Sequence, residues 1–505
     1  MATNFEWMQG KVLGLGSDLN RTQVLSDLKI AISSQTAIQQ KYIAQNLQLD
    51  AIFDCLNSSE SEEIELACHT LTLLLHSLDS ATVVGRYGSA IQRALSHPAS
   101  VVKTLAITEL QRAANDENLI PQLCHADLLL KVISCLSLDD LTVARCAGSL
   151  LVKIGKTTVG LKSLYHGEIF EGLLSAQRES DVVRFRVYEV VVEIAEHSAT
   201  GLQASVECGL LPALIEEFKT DDVLLQLNAL ELLTKLAVTP HGLHYLEQHR
   251  ILEFLSDKVS NAEGDIEGTI ILPGLIKFFG NVAQVNPKDF FSKYPSMVTA
   301  LFETLDSPDM IMAGVAMETV GYIATTVEGK HMLSSLGDAM NNAMKTLACK
   351  IANSPTEWRV RALNTVANII ALKVPDQDTL SLALTKSWFD ALSPNPLETI
   401  MAVSRQPFPE LRLAGLQVLN VLAEQSWGQE YMKNHPGLVE FLLDRSMETI
   451  KSCKDAKFDV IRTIVESPTA AAIFGHDTMQ RLEEFAREGP FYVRGQTEVA
   501  IEGAS

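Results

Sequence analysis

The stretch SDVVRFRVYEVVVEIA, residues 180–195, decides how the chain folds. Its β-branched run Val190-Val191-Val192 has strand character taken alone. Yet Val187, Val191 and Ile194 stand at i, i+4 and i+7, so they share one face of an α-helix. Ser180 and Asp181 supply a capping side chain and an acidic first turn in front of it. Gly201 follows 14 residues after Val187, and a further apolar block, LLPALIEEF (210–218), follows the glycine. The predicted unit is a long helix, a glycine turn, a short helix and a second longer helix.

The same triplet recurs in both directions. Toward the N-terminus it is Ala147/Leu151/Ile154, Ala106/Leu110/Ala113 and Ala67/Leu71/Leu74. Toward the C-terminus it is Ala229/Leu233/Leu236, Leu275/Phe279/Val282, Ala316/Val320/Ile323, Ala362/Val366/Ile369 and Ala414/Val418/Val421. Successive leading residues are 39, 41, 40, 42, 46, 41, 46 and 52 positions apart. That is the period of armadillo and HEAT arrays, and three helices per unit favour the armadillo form. In five units a glycine falls 13 or 14 residues after the lead, at Gly160, Gly201, Gly242, Gly329 and Gly428, and is read as a left-handed helix end. Asp221-Asp222, Ser307-Pro308-Asp309 and Pro409-Glu410 mark other starts of long helices.

The fold expected is all-α: a right-handed superhelical solenoid of armadillo/HEAT-type repeats, C-shaped with a concave groove. Residues 1–60 are assigned to N-terminal capping helices, 61–453 to the repeat array, 454–487 to C-terminal capping helices and 488–505 to an extended tail. Pro273, with the acidic loop Asn261 to Gly268 before it, predicts a bend in the superhelix.

Composition agrees with a helical array. Of 505 residues 47% are hydrophobic and only 6% aromatic, and no composition break marks a linker. The formal charge is −21 with no run of five basic residues, which argues against nucleic-acid binding, since that needs a positive footprint. The eight cysteines lie in apolar helical patterns without a CxxC pair and are expected to be reduced and buried. No apolar run reaches membrane-spanning length, and Met1 to Asp18 lacks the pattern of a secretory signal. A soluble, cytoplasmic chain, monomeric when free, is expected.

Signatures of catalysis do not appear. Ile154-Gly155-Lys156-Thr157 resembles the end of a phosphate loop, but the glycine required five residues before Gly155 is Leu150. His241, His244 and His249 have no carboxylate or cysteine beside them at zinc spacing. Glu62, Glu63 and Glu65 form an acidic helix start. The chain is expected to be no enzyme, with no cofactor and no metal.

In an armadillo-type array the triplet-bearing helix lines the concave surface, and that resemblance supplies the orientation. The positions six after the lead then face the groove: Arg112, Lys153, Glu193, Lys235, Asn281, Tyr322, Asn368 and Asn420. Those two after it add Glu189, Glu231, Lys277, Glu318 and Asn364. An amphipathic helix has a solvated face in any case, so the case for a binding surface rests on the length of the array. An adaptor or transport scaffold of this fold would need groove tryptophans, and Trp7, Trp358, Trp388 and Trp427 are off the ladder positions.

RFRVYEVVVEIA (184–195), LPGLIKFFGNVA (272–283), QPFPELRLAGLQVL (406–419), GLVEFLLDRS (437–446), KDAKFDV (454–460) and EGPFYV (488–493) together resemble the 26S proteasome non-ATPase regulatory subunit 5 family. The likeness runs along nearly the whole chain. What it implies is a cytosolic assembly chaperone for the base of the proteasome regulatory particle. Such a chaperone binds the C-terminal domain of an AAA-type ATPase subunit with neighbouring base subunits, hinders premature docking on the core particle, and is absent from the mature proteasome.

Overall fold

A computed structural model of the chain describes residues 2–16, 20–260 and 266–492. Asn261 to Asp265 of the loop before Pro273, and the tail beyond Tyr492, lie outside the described residues. Within them are 33 α-helices and no strand. They form two compact units, Met1–His244 and Tyr245–Ser505.

Each unit is built on a ladder of long helices. In the first these are α1 (Arg21–Ser33), α2 (Ser61–His76), α3 (Ser100–Ala113), α4 (Leu141–Gly155), α5 (Asp181–His197) and α6 (Val223–Ala237). In the second they are α7 (Ile266–Val285), α8 (Met310–Ile323), α9 (Thr356–Ile370), α10 (Pro409–Ala423) and α11 (Lys451–Glu466). Within a unit each ladder helix packs against the next. All nine predicted triplets lie on these helices, and no member exceeds 5% exposure. Removing a Leu, Ile or Val side chain from water contributes about 1.5 to 3 kcal/mol, so this repeated stripe dominates the packing.

Capping follows the predicted pattern. Ser180 Oγ accepts from the Val183 amide at 3.3 Å, and Asp222 and Asp309 each accept from two first-turn amides. The three-helix unit recurs, as in α4 with Thr158–Leu164 and Gly167–Gln177, or α8 with Val327–Ser334 and Asp338–Asn353. One unit departs from it, because α2 is followed by Ser80–Ala94 alone, the two-helix HEAT form. The 52-residue step after α9 is filled by a single turn, Val374–Asp376, a lengthened helix, Thr379–Leu392, and a third helix, Pro396–Ser404.

The five repeat glycines are not left-handed helix ends. None has positive φ. Each sits in the first turn of the short helix, against the end of the preceding ladder helix. There an added Cβ would overlap a backbone carbonyl oxygen: Ile154 at Gly160, Ile194 at Gly201, Leu236 at Gly242, Ile323 at Gly329 and Leu422 at Gly428. At four of them the amide also donates to a capping hydroxyl three residues back, on Thr157, Ser198, Thr239 or Thr326, at 3.0 to 3.2 Å. Close approach, not backbone handedness, selects glycine. The left-handed role belongs to Gly209 and Gly437, which precede Leu210–Phe218 and Leu438–Leu443 with φ of 84° and 73°.

Helix α7 runs on both sides of Pro273, which lies inside it. Past the last helix, His476–Glu488, the Arg445 guanidinium pairs with Glu488 at 3.0 Å, donates to the Gly489 carbonyl at 3.1 Å and stacks 3.6 Å over the Phe485 ring. All eight cysteines are free; Cys55, Cys68, Cys135 and Cys453 are buried, and burial pushes the Cys68 thiol up to about 12. Among the described residues no single helix is long and apolar enough to cross a membrane.

Candidate functional site

The buried triplet determines what each ladder helix shows to solvent. At 100° per residue, positions two and six after the lead lie at about 200° and 240° from it, opposite the packed face. The predicted groove residues therefore share one exposed stripe per helix. The two units use that stripe differently.

In the first unit its cations are tied to the preceding helix. Arg112 of α3 donates to the Leu75 and Leu78 carbonyls, at the end of α2, at 2.9 and 2.7 Å, and pairs at 2.7 Å with Glu109, itself 2% exposed. Lys153 of α4 reaches the Gln111 carbonyl at 3.3 Å and the Asn115 side chain at 3.1 Å, at the end of α3. The attraction is that of a cation for the carbonyls at a helix C-terminus. Lys235 of α6 instead bridges two carboxylates of α5, Glu189 at 2.9 Å and Glu193 at 3.5 Å. Burial works to lower the pKa of this ammonium, but the two carboxylates outweigh it and hold it above the ordinary lysine value. Glu231 stands exposed beside them.

Arg112 thus serves as a staple between repeats. Arg112→Met is expected to lower the unfolding free energy by about 1 to 2 kcal/mol, because Glu109 keeps only His76, at 3.1 Å, as a partner. Urea denaturation checks this, and an unchanged midpoint would return Arg112 to the binding surface.

In the second unit the stripe is more open. Lys277 is exposed, and Asn281 of α7 donates to the Lys277 carbonyl at 2.8 Å. Tyr322 of α8 and Asn364 and Asn368 of α9 are exposed, with no intramolecular hydrogen bond to their side chains among the described residues. Glu318 pairs with Arg361 at 3.4 Å. Asn420 of α10 is half-buried and accepts from the Thr463 hydroxyl of α11 at 2.8 Å. The structure therefore brings Glu318, Tyr322, Asn364 and Asn368 together on adjoining helices. Arg361 belongs with them and was missed. It stands one residue before the lead of α9, stacks 4.6 Å over Trp358, and its only sequence signal is the four-residue spacing from Glu357, its partner at 2.8 Å.

The histidines have other roles: His241 Nε2 meets the Ala195 carbonyl at 3.0 Å, and His249 packs on the Tyr245 ring at 4.4 Å. No group of three or more metal-ligating side chains occurs among the described residues.

Comparison with known proteins adds to this geometry. The family profile described as proteasome non-ATPase 26S subunit matches residues 5–505. The chain is 34% identical over 496 residues to the human 26S proteasome non-ATPase regulatory subunit 5, covering 98% of each chain. It is 34% identical to the bovine protein of that name, over 98% of this chain and all of the other. The Drosophila melanogaster protein is 28% identical, over 98% of both.

Proposed function

The chain belongs to the 26S proteasome non-ATPase regulatory subunit 5 family, and from that premise we propose that it is a non-catalytic, cytosolic assembly chaperone for the base of the proteasome regulatory particle. Its ladder face holds the C-terminal domain of one AAA-type ATPase subunit, with neighbouring base subunits carried alongside. While held, that subunit is sterically kept from docking on the core particle, and the chaperone leaves before the proteasome matures.

The observation that carries this reading is the open stripe on α8 and α9. Tyr322, Asn364 and Asn368 offer a phenol and two amides with no hydrogen-bond partner among the described residues. Such groups exchange hydrogen bonds with another protein without stripping water from a charge. Many modest contacts along a repeat surface give binding that is specific and still reversible, as an escort requires.

Capture of purified proteasomal ATPase subunits by the full chain tests the proposal. The triple variant Tyr322→Ala, Asn364→Ala and Asn368→Ala is expected to weaken capture of one subunit at least about tenfold. Undiminished capture by the folded variant would remove this face from the mechanism. Failure of the unaltered protein to capture any ATPase subunit would sink the chaperone reading.

A further inference from the structure

The starts of the ladder helices carry a second repeat. Leu141 is the first residue of α4, and Val182 and Leu224 are the second residues of α5 and α6. They are 58%, 62% and 71% exposed. A helix start gains nothing from such side chains: its orphan amides and positive end favour Ser, Thr, Asp or Glu, and valine is a weaker helix former than alanine. One exposed apolar residue is ordinary on any surface, but one at the start of each of three consecutive helices makes a row. In the second unit Ile311, second residue of α8, holds the same position and is also exposed.

The three helices start side by side. Arg186, early in α5, donates to the Leu136 and Leu138 carbonyls just before α4 at 2.6 and 2.8 Å. Arg184 of α5 pairs at 2.9 Å with Glu217, in the helix that precedes α6. Packed helix axes stand about 8 to 10 Å apart, so the row offers one apolar side chain at about that interval over roughly 20 Å.

This interval selects the shape of an occupant. In an α-helix seven residues span about 10.5 Å and return to the same face, so positions i, i+7 and i+14 meet three such points together. A strand covers about 10 Å in three residues, and the third points to the opposite face. Charge around the row is uneven as well. Residues 136–145, 177–186 and 216–225, which hold the row, carry eight carboxylates and five cations. Two of those cations, Arg184 and Arg186, are engaged within the fold as described. Arg145, Arg178 and Lys219 are exposed, against Asp139, Glu179, Asp181, Glu216, Asp221 and Asp222. The excess is negative by three charges on either count, and it favours a partner with basic side chains beside its apolar face.

We infer that this row docks an amphipathic helix of a partner protein, whose large apolar residues at i, i+7 and i+14 sit on Leu141, Val182 and Leu224 and whose lysines or arginines flank that stripe. The row belongs to the first unit, and the inference does not depend on the proposed function.

Binding of a fluorescent helical peptide to the full chain tests this, the probe carrying leucines at i, i+7 and i+14 with lysines beside them. It is expected to bind the unaltered protein and to lose at least about tenfold in affinity with the triple variant Leu141→Gln, Val182→Gln and Leu224→Gln. All three side chains are exposed, so the melting temperature of the variant should not fall. Two altered peptides probe the unaltered protein and need no variant: one with its leucines five residues apart, and one with its lysines replaced by glutamates. Each is expected to bind at least about tenfold more weakly than the first. Absence of peptide binding, or equal binding by the triple variant or by either altered peptide, overturns the inference. If the unaltered protein sediments as a dimer and the triple variant as a monomer, a second copy occupies the row and the assignment to a basic helix fails.

Discussion

Lys330→Ala is expected to lower the unfolding free energy by about 2 to 5 kcal/mol, the range for truncating a long buried side chain and leaving buried acceptors without a donor. Lys330 is 1% exposed, in the short helix after α8. Its Nζ donates to the Ala324 carbonyl just past α8, and to those of Asn368 and Ile369 at the end of α9 at 3.1 and 2.7 Å. An ammonium has three N–H bonds, and here three carbonyls of two repeats receive them. Without it, the end of α9 keeps orphan acceptors in a dry junction.

A second readout comes from pH. Burial pushes the Lys330 ammonium down to about 7, from 10.5 in an exposed lysine. Between those values the unfolded chain binds the extra proton and the folded chain does not, so stability rises with pH across that window and is level below it. The slope contributed is at most about 1.4 kcal/mol per pH unit. Urea midpoints at pH 6.5 and 9 for the unaltered protein and Lys330→Met should show this rise only in the former. A gap between the two proteins that does not change with pH would contradict the assignment.

Gly160→Ala and Gly85→Ala should move stability in opposite directions. At Gly160 the new methyl would overlap the Ile154 carbonyl oxygen, and backbone on both sides leaves no rotamer to relieve it. A loss of about 2 to 3 kcal/mol is expected, with the melting temperature falling. Gly85 lies inside Ser80–Ala94 with nothing within 4 Å of an added Cβ, so alanine there should gain about 0.5 to 1 kcal/mol through helix propensity alone. Thermal melts of the two variants decide the matter. Comparable losses would mean that propensity and overlap have been misassigned, and a tolerant Gly160 would mean that close approach to the Ile154 carbonyl does not select glycine there.

The ends of the ladders show where pattern reading stops. Helix α11 fits the triplet at 457, 461 and 464, but its lead is Lys457, so counting apolar residues passes it by. Burial is tolerated there because Nζ donates to the Asp444 carbonyl at 2.7 Å and the cation lies 4.4 Å from the Phe441 ring. In α1 the position four after Leu25 is Lys29, and Leu28 fills the core in its place. Both helices belong to the ladders although their sequences break the rule.

What the sequence alone determined is the repeat: its period, its long helices, their caps and the buried face. Those depend on spacing within some 15 residues, because a helix turns every 3.6 residues whatever surrounds it. Why glycine recurs, and which residues of the exposed stripe are free, only the tertiary structure decided. Arg112, Lys235 and Asn368 hold the same place in their repeats. The first is bound to a helix end, the second to two carboxylates, and the side chain of the third is open. Their neighbours sit some 40 positions away in the chain, and what a packed neighbour presents is not encoded in the helix that meets it.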